Sequence, residues 1–267
     1  MKIGIVGNFI AATDGGVIEN FVRFLSKNGY HTTVFSVNEQ IDGVDVLIVF
    51  GGDGAILHAA TVAASKGIKI IGINYGHLGF LAEYERGEEE KVLELLDQLQ
   101  TGNCRIFKRS MLQVKLGGEI RYALNEIAVH RYINDENPLK TQILKLCVRF
   151  GDTSDTFSGD GVLISTPTGS TGYSLSAGGA ILTPEVPALL LTPICAFSLG
   201  KRPIVFPESE IFAVQAERGD ALILADGKGI GYLKEGERIE ISKAPFCAEF
   251  PIRAQSDFFA KIKTKLN

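Results

Sequence analysis

Gly51, Gly52, Asp53 and Gly54 place a carboxylate inside a turn of glycines, directly after the apolar run VDVLIVF at 44–50. Glycine has no Cβ, so its backbone can take positive φ and let a phosphate approach the main chain. The run before the turn has the pattern of a parallel strand covered on both faces. After it, Ile56, Leu57, Ala60, Ala63 and Ala64 recur at helical spacing, and Gly67 is placed to stop the helix. GGDG is therefore read as a strand-to-helix turn at the carboxyl end of a parallel strand. Open α/β sheets bind ligands there, with helix N–H groups pointing outward. A plain anion cradle would avoid Asp53, because a carboxylate beside phosphate oxygens adds negative charge. Two readings stand: Asp53 caps the helix, or it is the base for phosphoryl transfer to a hydroxyl.

Two further stretches carry polar groups where chemistry is possible. In ALNEIAV, Asn125 and Glu126 interrupt an otherwise apolar strand pattern. One of them should face inward by alternation and needs a partner, supplied by the fold or by a ligand. The stretch SGDGVLISTPTGSTGYSLSAGGAILTP, 158–184, has no Asp, Glu, Lys, Arg or His after Asp160. Its hydroxyls recur at Ser165, Thr166, Thr168, Ser170, Thr171, Tyr173, Ser174 and Ser176. Such a neutral wall suits sugar hydroxyls, an amide or a purine, and Tyr173 adds a face for stacking. VLIS before it, Pro167 within it and AGGAIL after it argue for a binding loop leading into a helix rather than a flexible linker.

The elements that must position these groups fall into two textures. Apolar strands at 2–6, 31–37, 44–50 and 68–73 alternate with helical patterns at 17–27 and 88–99. That alternation predicts a doubly wound parallel α/β domain over residues 1–100. The first turn, GNFIAATDGG, does not match a dinucleotide fingerprint. A second loop at the same sheet edge, NYGHLGFLAE at 74–83, puts Asn74 near the site or in an ordinary turn. From 101 to 250 the chain shows short alternating runs split by turns at 117–118, 226–227 and 235–236, an antiparallel β-rich domain. Residues 251–267 end in SDFFAKIKTKLN, a short basic amphipathic helix expected to pack back on the body.

A length of 267 residues with 45% hydrophobic content supports a substantial core, and a net charge of −4 with no basic run argues against a nucleic-acid partner. The start MKIGIVGNFIAA is too short an apolar run for export or spanning, so the chain reads as cytoplasmic without a membrane partner. Cys104, Cys147, Cys195 and Cys247 are scattered and indicate neither zinc nor a disulfide framework, and no metal ligands are assigned. P-loop and protein-kinase motifs are missing, so the kinase reading rests on GGDG.

Taken together, GGDG at 51–54, GINYGHLGFL at 72–81, LNE at 124–126, DGVLISTPTGSTGYSLSAGG at 160–179 and RPIVFP at 202–207 resemble the NAD kinase family in type and order. GGDG alone is shared with phosphofructokinases and diacylglycerol-type lipid kinases, whereas the long second run is specific. The resemblance implies an N-terminal α/β and a C-terminal β-rich domain. It implies transfer of the ATP γ-phosphate to the adenosine ribose 2′-hydroxyl of NAD, with Asp53 as base and Mg²⁺ neutralising the phosphates. It assigns the phosphate loop to Gly51, Gly52 and Gly54, and NAD contacts to Asp53, Gly54, Asn125, Glu126, Asp160 and Thr168. Further NAD contacts are assigned to the run Thr171, Gly172, Tyr173, Ser174, Leu175 and Ser176. A homodimer or homotetramer is expected by the same resemblance.

The sequence departs from the family pattern at several of these positions. Ala55 stands where Thr or Ser is usual, Gly172 where Ala is usual, and Lys228 where Gln is frequent. Ser158 and the PICAFSLGKRP stretch at 193–203 also differ from commoner forms. Two rivals remain at this stage: a GGDG-type kinase of another hydroxyl acceptor, lipid or sugar, and a non-catalytic NAD(P)-binding sensor.

Overall fold

The computed structural model describes residues 1–7, 16–36, 39–75, 79–132, 143–252 and 258–266. The turn at 8–15 and Gly76, His77 and Leu78 of the second loop lie outside the described residues. The chain divides into two compact units, 1–109 with 247–267, and 110–246.

In the first unit the order is β1 Ile3–Gly7, α1 Val17–Lys27, β2 Thr32–Phe35, β3 Val46–Phe50, α2 Asp53–Ala63, β4 Lys69–Asn74, β5 Tyr84–Glu85 and α3 Glu89–Gln100. The five strands form one sheet in the order β2-β1-β3-β4-β5, with every neighbouring pair parallel. All five residues of β3 are buried, as its unbroken apolar run requires of a strand covered on both faces. The strand order reverses between β1 and β3. That is a topological switch point, and it leaves a crevice beyond the carboxyl ends of those strands. The turn that follows β3 is GGDG. Gly67, at φ 68, ends the helical segment after α2, and Phe21 and Leu25 of α1 and Val92, Leu95 and Leu96 of α3 join the strands in one core.

The second unit continues with β6 Arg105–Leu116, β7 Glu119–Ala123, β8 Glu126–Arg131, β9 Leu144–Phe150, β10 Thr153–Gly159 and β11 Gly161–Ser165. There follow α4 Tyr173–Ser176, β12 Ala188–Ile194, β13 Ile204–Pro207, β14 Ile211–Arg218, β15 Ala221–Ala225, β16 Lys228–Leu233 and β17 Arg238–Ile252. Two six-stranded sheets form, β10-β9-β14-β17-β6-β7 and β13-β12-β11-β8-β15-β16. Alternate residues of both, among them Leu144, Leu146 and Val148 of one and Ile127, Val129 and Ile164 of the other, make a common core. A smaller cluster of Ala128, Leu163 and Ile194 with Ala177 and Leu224 forms where the 168–179 segment packs on its sheet.

Two features differ from the sequence-based expectation. The division falls inside β6 and β17, at 109/110 and 246/247, rather than at 100 and 250. The two strands run unbroken through both units, and Pro245 beside the second crossing lies within β17 rather than in a linker, so no loop composition marks either crossing. The last helix, α5 Phe258–Leu266, belongs to the first unit. The second difference is that LNE does not interrupt a strand: β7 ends at Ala123 and β8 starts at Glu126, and the two strands lie in different sheets. The polar pair sits where the chain changes sheets, so alternation does not decide which residue faces in.

Candidate active site

In the first unit, Asp53 is the first residue of α2 and Gly52 is its N-cap, with no side-chain cap bond. The capping reading therefore does not describe the carboxylate. Asp53 turns instead to the segment after β4: Oδ2 accepts the Phe80 N–H at 2.8 Å and Oδ1 accepts the Leu81 N–H at 3.0 Å. This fork holds the side chain in one orientation at the switch point while it stays part-buried. Gly79 makes the approach possible, since a Cβ there would overlap Oδ1 and stand 2.7 Å from Cγ. Among the three turn glycines only Gly51 has a backbone that demands glycine, at φ 153. A Cβ at Gly52 or Gly54 would meet nothing within 4 Å among the described residues, so there the missing side chain leaves room beside the main chain. In the first turn of α2 the Ala55 N–H bonds Gly52 O at 3.0 Å, so the N–H groups at the very start of the helix, those of Asp53 and Gly54, are the ones an anion could meet. Ala55 packs its methyl where a Cβ on Gly51 would come within 2.8 Å. Asn74 is buried at the end of β4.

Two lysines of α5 complete this cluster. Lys261 Nζ donates to Ala82 O at 2.9 Å and lies 3.4 Å from Glu83 Oε1. Burial pushes the Lys261 ammonium below its ordinary pKa, and Glu83 pulls it back up. Lys265 Nζ lies 3.9 Å from Asp53 Oδ2 and 4.3 Å from the centroid of the Phe80 ring.

In the second unit the LNE crossing is held by Asp226. Its carboxylate accepts the N–H groups of Leu124 at 2.8 Å, Asn125 at 2.7 Å and Glu126 at 3.2 Å. Three consecutive donors at the crossing from one sheet to the next are satisfied by one side chain. Asp226 and Gly227 also form the β15–β16 turn, both at positive φ as a tight hairpin requires. The sequence reading of Asp226 as a turn residue stands, but its second role carries no local signal. Burial raises the Asp226 carboxyl, opposed by these three N–H bonds and by Lys228.

Glu126 is buried at 6% exposure and its Oε2 has no partner among the described residues, nor does Asn125 Oδ1. Desolvation, with the neighbouring Asp226 charge adding to it, pushes the Glu126 carboxyl from 4.5 up to about 8, while an N–H of Tyr173 works in the other direction. A group whose folded value is raised contributes stability that is complete below about pH 4.5 and is lost as pH rises through about 8, since the unfolded chain gives up the proton first. Glu126→Gln removes that titration. The melting temperature of the wild-type protein should therefore fall, relative to the variant, by on the order of a few degrees between about pH 5 and about pH 9. Parallel melting curves in thermal denaturation would refute this.

The wall at 158–184 is less uniform than its sequence suggests, because several hydroxyls are used by the fold. Thr166 Oγ1 donates to Leu124 O at 2.6 Å, Ser170 Oγ to Pro167 O at 2.6 Å, and Thr171 Oγ1 to Thr168 O at 3.2 Å. Ser174 Oγ is fully buried against Thr192 Oγ1 at 2.8 Å. Buried polar groups are obliged to find partners, and sequence cannot say which hydroxyls face inward. Ser165 Oγ is buried without a partner among the described residues, and Thr168, three residues on, is also buried. Tyr173 is exposed, and desolvation, then Cys195, Asp160 and Glu126, raise its phenol, which puts these four groups in one neighbourhood. Asp160 pairs with Arg131 at 3.2 Å. Gly172 is at φ −97, and a Cβ there would stand 3.3 Å from Asn125 Nδ2 and 3.4 Å from Glu126 Oε2. The small residue thus keeps space beside the two orphaned side chains. The helix after the loop, α4, is a single turn, with Leu175 half-buried and Ser176 exposed.

The assigned residues therefore gather in two places. Asp53 and its glycines share the switch point of the first unit, and Asn125, Glu126, Gly172 and Tyr173 share one neighbourhood of the second. Sequence reasoning missed the N–H groups of Phe80 and Leu81, Gly79, Lys265 and the anchoring role of Asp226. Only Gly79, a glycine in an apolar run, left a trace.

A parallel sheet that presents a glycine turn with a held carboxylate, in one chain with a β-sandwich bearing a neutral glycine-rich wall, defines a GGDG-type kinase scaffold. The chain matches the family descriptions ATP-NAD kinase N-terminal domain over residues 20–104 and ATP-NAD kinase C-terminal domain over 124–251. It is 39% identical to NAD kinase 2 of Trichormus variabilis, covering 99% of this chain and 94% of that one. It is 35% identical to the NAD kinase of Carboxydothermus hydrogenoformans, covering 91% and 89%. The crystal structure of an NAD kinase from Archaeoglobus fulgidus in complex with ATP superposes with a TM-score of 0.81 at 25% identity, over 99% of each chain. The chain belongs to the NAD kinase family.

Proposed function

We propose that this protein transfers the γ-phosphate of ATP to the 2′-hydroxyl of the adenosine ribose of NAD, giving NADP and ADP. The observation that carries the reading is the Asp53 carboxylate, held by two N–H donors beside an open glycine turn at the switch point. Asp53 takes the proton of the 2′-hydroxyl as that oxygen forms its bond to the γ-phosphorus, and the bond from phosphorus to the bridging oxygen breaks to release ADP. Gly51, Gly52 and Gly54 let the phosphates lie against the main chain and the first N–H groups of α2. Mg²⁺ enters with ATP as part of the substrate. Such ions keep mostly phosphate and water ligands with one or two carboxylates, and Asp53, with spare lone pairs on both oxygens, is compatible with that.

The second unit supplies the nucleoside contacts. Asn125 Oδ1 and the carboxyl of Glu126, both short of partners, meet hydroxyl or amino groups of the adenosine half. Glu126, still protonated near neutral pH, can also donate. Tyr173 offers its ring for stacking, and Asp160, Thr168, Thr171, Ser174, Leu175 and Ser176 line or support the wall. The rivals are less well supported. A lipid acceptor would need an apolar surface where this wall is polar, and a sensor would leave the held Asp53 without a task.

No helix among the described residues is long and apolar enough to cross a membrane. We place the enzyme in the cytoplasm, where NAD and ATP are available. We also propose assembly as a homodimer or homotetramer. β13 is a sheet edge, and Phe197 and Leu199 just before it are 81% and 84% exposed, an apolar edge of the kind that copies cover. Phe197→Lys with Leu199→Lys should lower the molar mass measured by light scattering toward that of one chain. A wild type that already runs as one chain would end this reading.

The test of function is a coupled assay for NADP formed from NAD, ATP and Mg²⁺. NADP from the wild type is the expected result. A folded wild type that makes none, with polyphosphate as donor and NADH as acceptor also tried, would overturn the reading.

A further inference from the structure

A kinase that puts a carboxylate beside phosphates needs a cation there, and its glycine turn does not contain one. From Val44 to Ser65 the chain has no Lys or Arg. Among the described residues, the ammonium paired with Asp53 comes from more than two hundred residues further along, on α5. Lys261 and Lys265 are four apart and so share one face of that helix. Lys261 grips the carbonyl of Ala82 at 2.9 Å and that of Phe80 at 3.5 Å, in the segment whose N–H groups hold Asp53. One turn on, Lys265 lies over the Phe80 ring and 3.9 Å from Asp53 Oδ2. The Phe80 and Phe258 rings also meet, with centroids 6.3 Å apart, so the helix is fixed at both ends of this contact.

At 3.9 Å the pair is a loose ion pair rather than a short hydrogen bond. The ammonium has three donors, and its side chain keeps 22% exposure. An ammonium in that position can serve the phosphoryl oxygens, where charge is spread in the transition state. It also offsets the repulsion between Asp53 and those oxygens.

We propose that Lys265 is a further catalytic residue, whose ammonium contacts the phosphoryl group in transfer beside Asp53. The inference rests on the NAD kinase reading above. Lys261 is its positioning partner, holding the 79–83 segment and α5 together.

The experiment compares wild type, Lys265→Met and Lys265→Arg in the NADP assay, with NAD affinity by calorimetry and melting curves alongside. Lys265→Met should lose about a hundredfold in kcat, the size seen when one transition-state donor is removed. KM and Kd for NAD should stay within about twofold, because an interaction made in the transition state lowers kcat without changing ground-state binding. Lys265→Arg, which keeps the charge, should recover a large part of kcat. A wild type that makes NADP together with a folded Lys265→Met of unchanged kcat would overturn the inference and leave the function intact. Equal losses in both variants would also overturn it, because charge would then not be what matters. A wild type that makes no NADP would instead overturn the function on which the inference rests.

Discussion

Asp53→Asn should lower kcat by about a hundred- to ten-thousandfold, the contribution of one positioned base, while NAD binding changes little. The amide keeps the size of the carboxyl and cannot take the 2′-hydroxyl proton. Its oxygen can still accept one of the two N–H bonds from Phe80 and Leu81, but its NH₂ must face the other donor. That mismatch costs about 1–3 kcal/mol where the group is buried, and less at a side chain with 31% exposure. A small fall in melting temperature should therefore accompany the large fall in kcat. Calorimetric NAD binding within about threefold of wild type, alongside the loss of turnover, would separate chemistry from binding. A variant that keeps near-normal kcat would remove Asp53 from the role of base.

Gly79→Ala should come close to that effect without touching a charged group. The added methyl would overlap Asp53 Oδ1 and stand 2.7 Å from Cγ, so the carboxylate must leave its fork. Gly79 is not among the positive-φ residues, so alanine brings no backbone strain, and the substitution is a steric probe of the base alone. A displacement on the order of 1 Å at a reacting group costs about a hundredfold in rate. Since Asp53 is part-exposed, the displaced carboxylate can reach water, and the melting temperature should hold. In combination with Asp53→Asn the losses should not add, because both remove the same positioned group. A double variant slower by the product of the two single losses would show that Gly79 acts through something other than Asp53.

Much of the scaffold was legible in the chain because it follows from local periodicity. The run at 44–50, apolar but for Asp45 at its entry, has the pattern of a strand buried on both faces, and the change to helical spacing after Gly54 placed the turn between them. The alternating runs past residue 105 likewise became two antiparallel sheets. The readings that needed more than period fared differently. LNE resembled one strand because Ala123 and Ile127 are both apolar, yet the chain changes sheets between them, which depends on where β6 and β11 pair. The hydroxyl-rich wall was singled out by composition, but which hydroxyls turn inward was set by carbonyls such as Leu124 O and by Thr192, outside the stretch itself.

By itself, then, the sequence determined the element types, the glycine turn with its unexpected carboxylate, and the uncharged run that marks the family. These depend on side-chain period, on the lack of a Cβ and on residue type, all of which are local. Only the tertiary structure decided what Asp53 and Glu126 experience. The partners of Asp53 are N–H groups 27 and 28 residues away and a lysine on the last helix. The neighbour that raises Glu126 is an aspartate 100 residues on, anchored by the backbone it supports. Hydrogen-bond partners and desolvation are properties of a place in the folded molecule, and residues distant in the chain create that place.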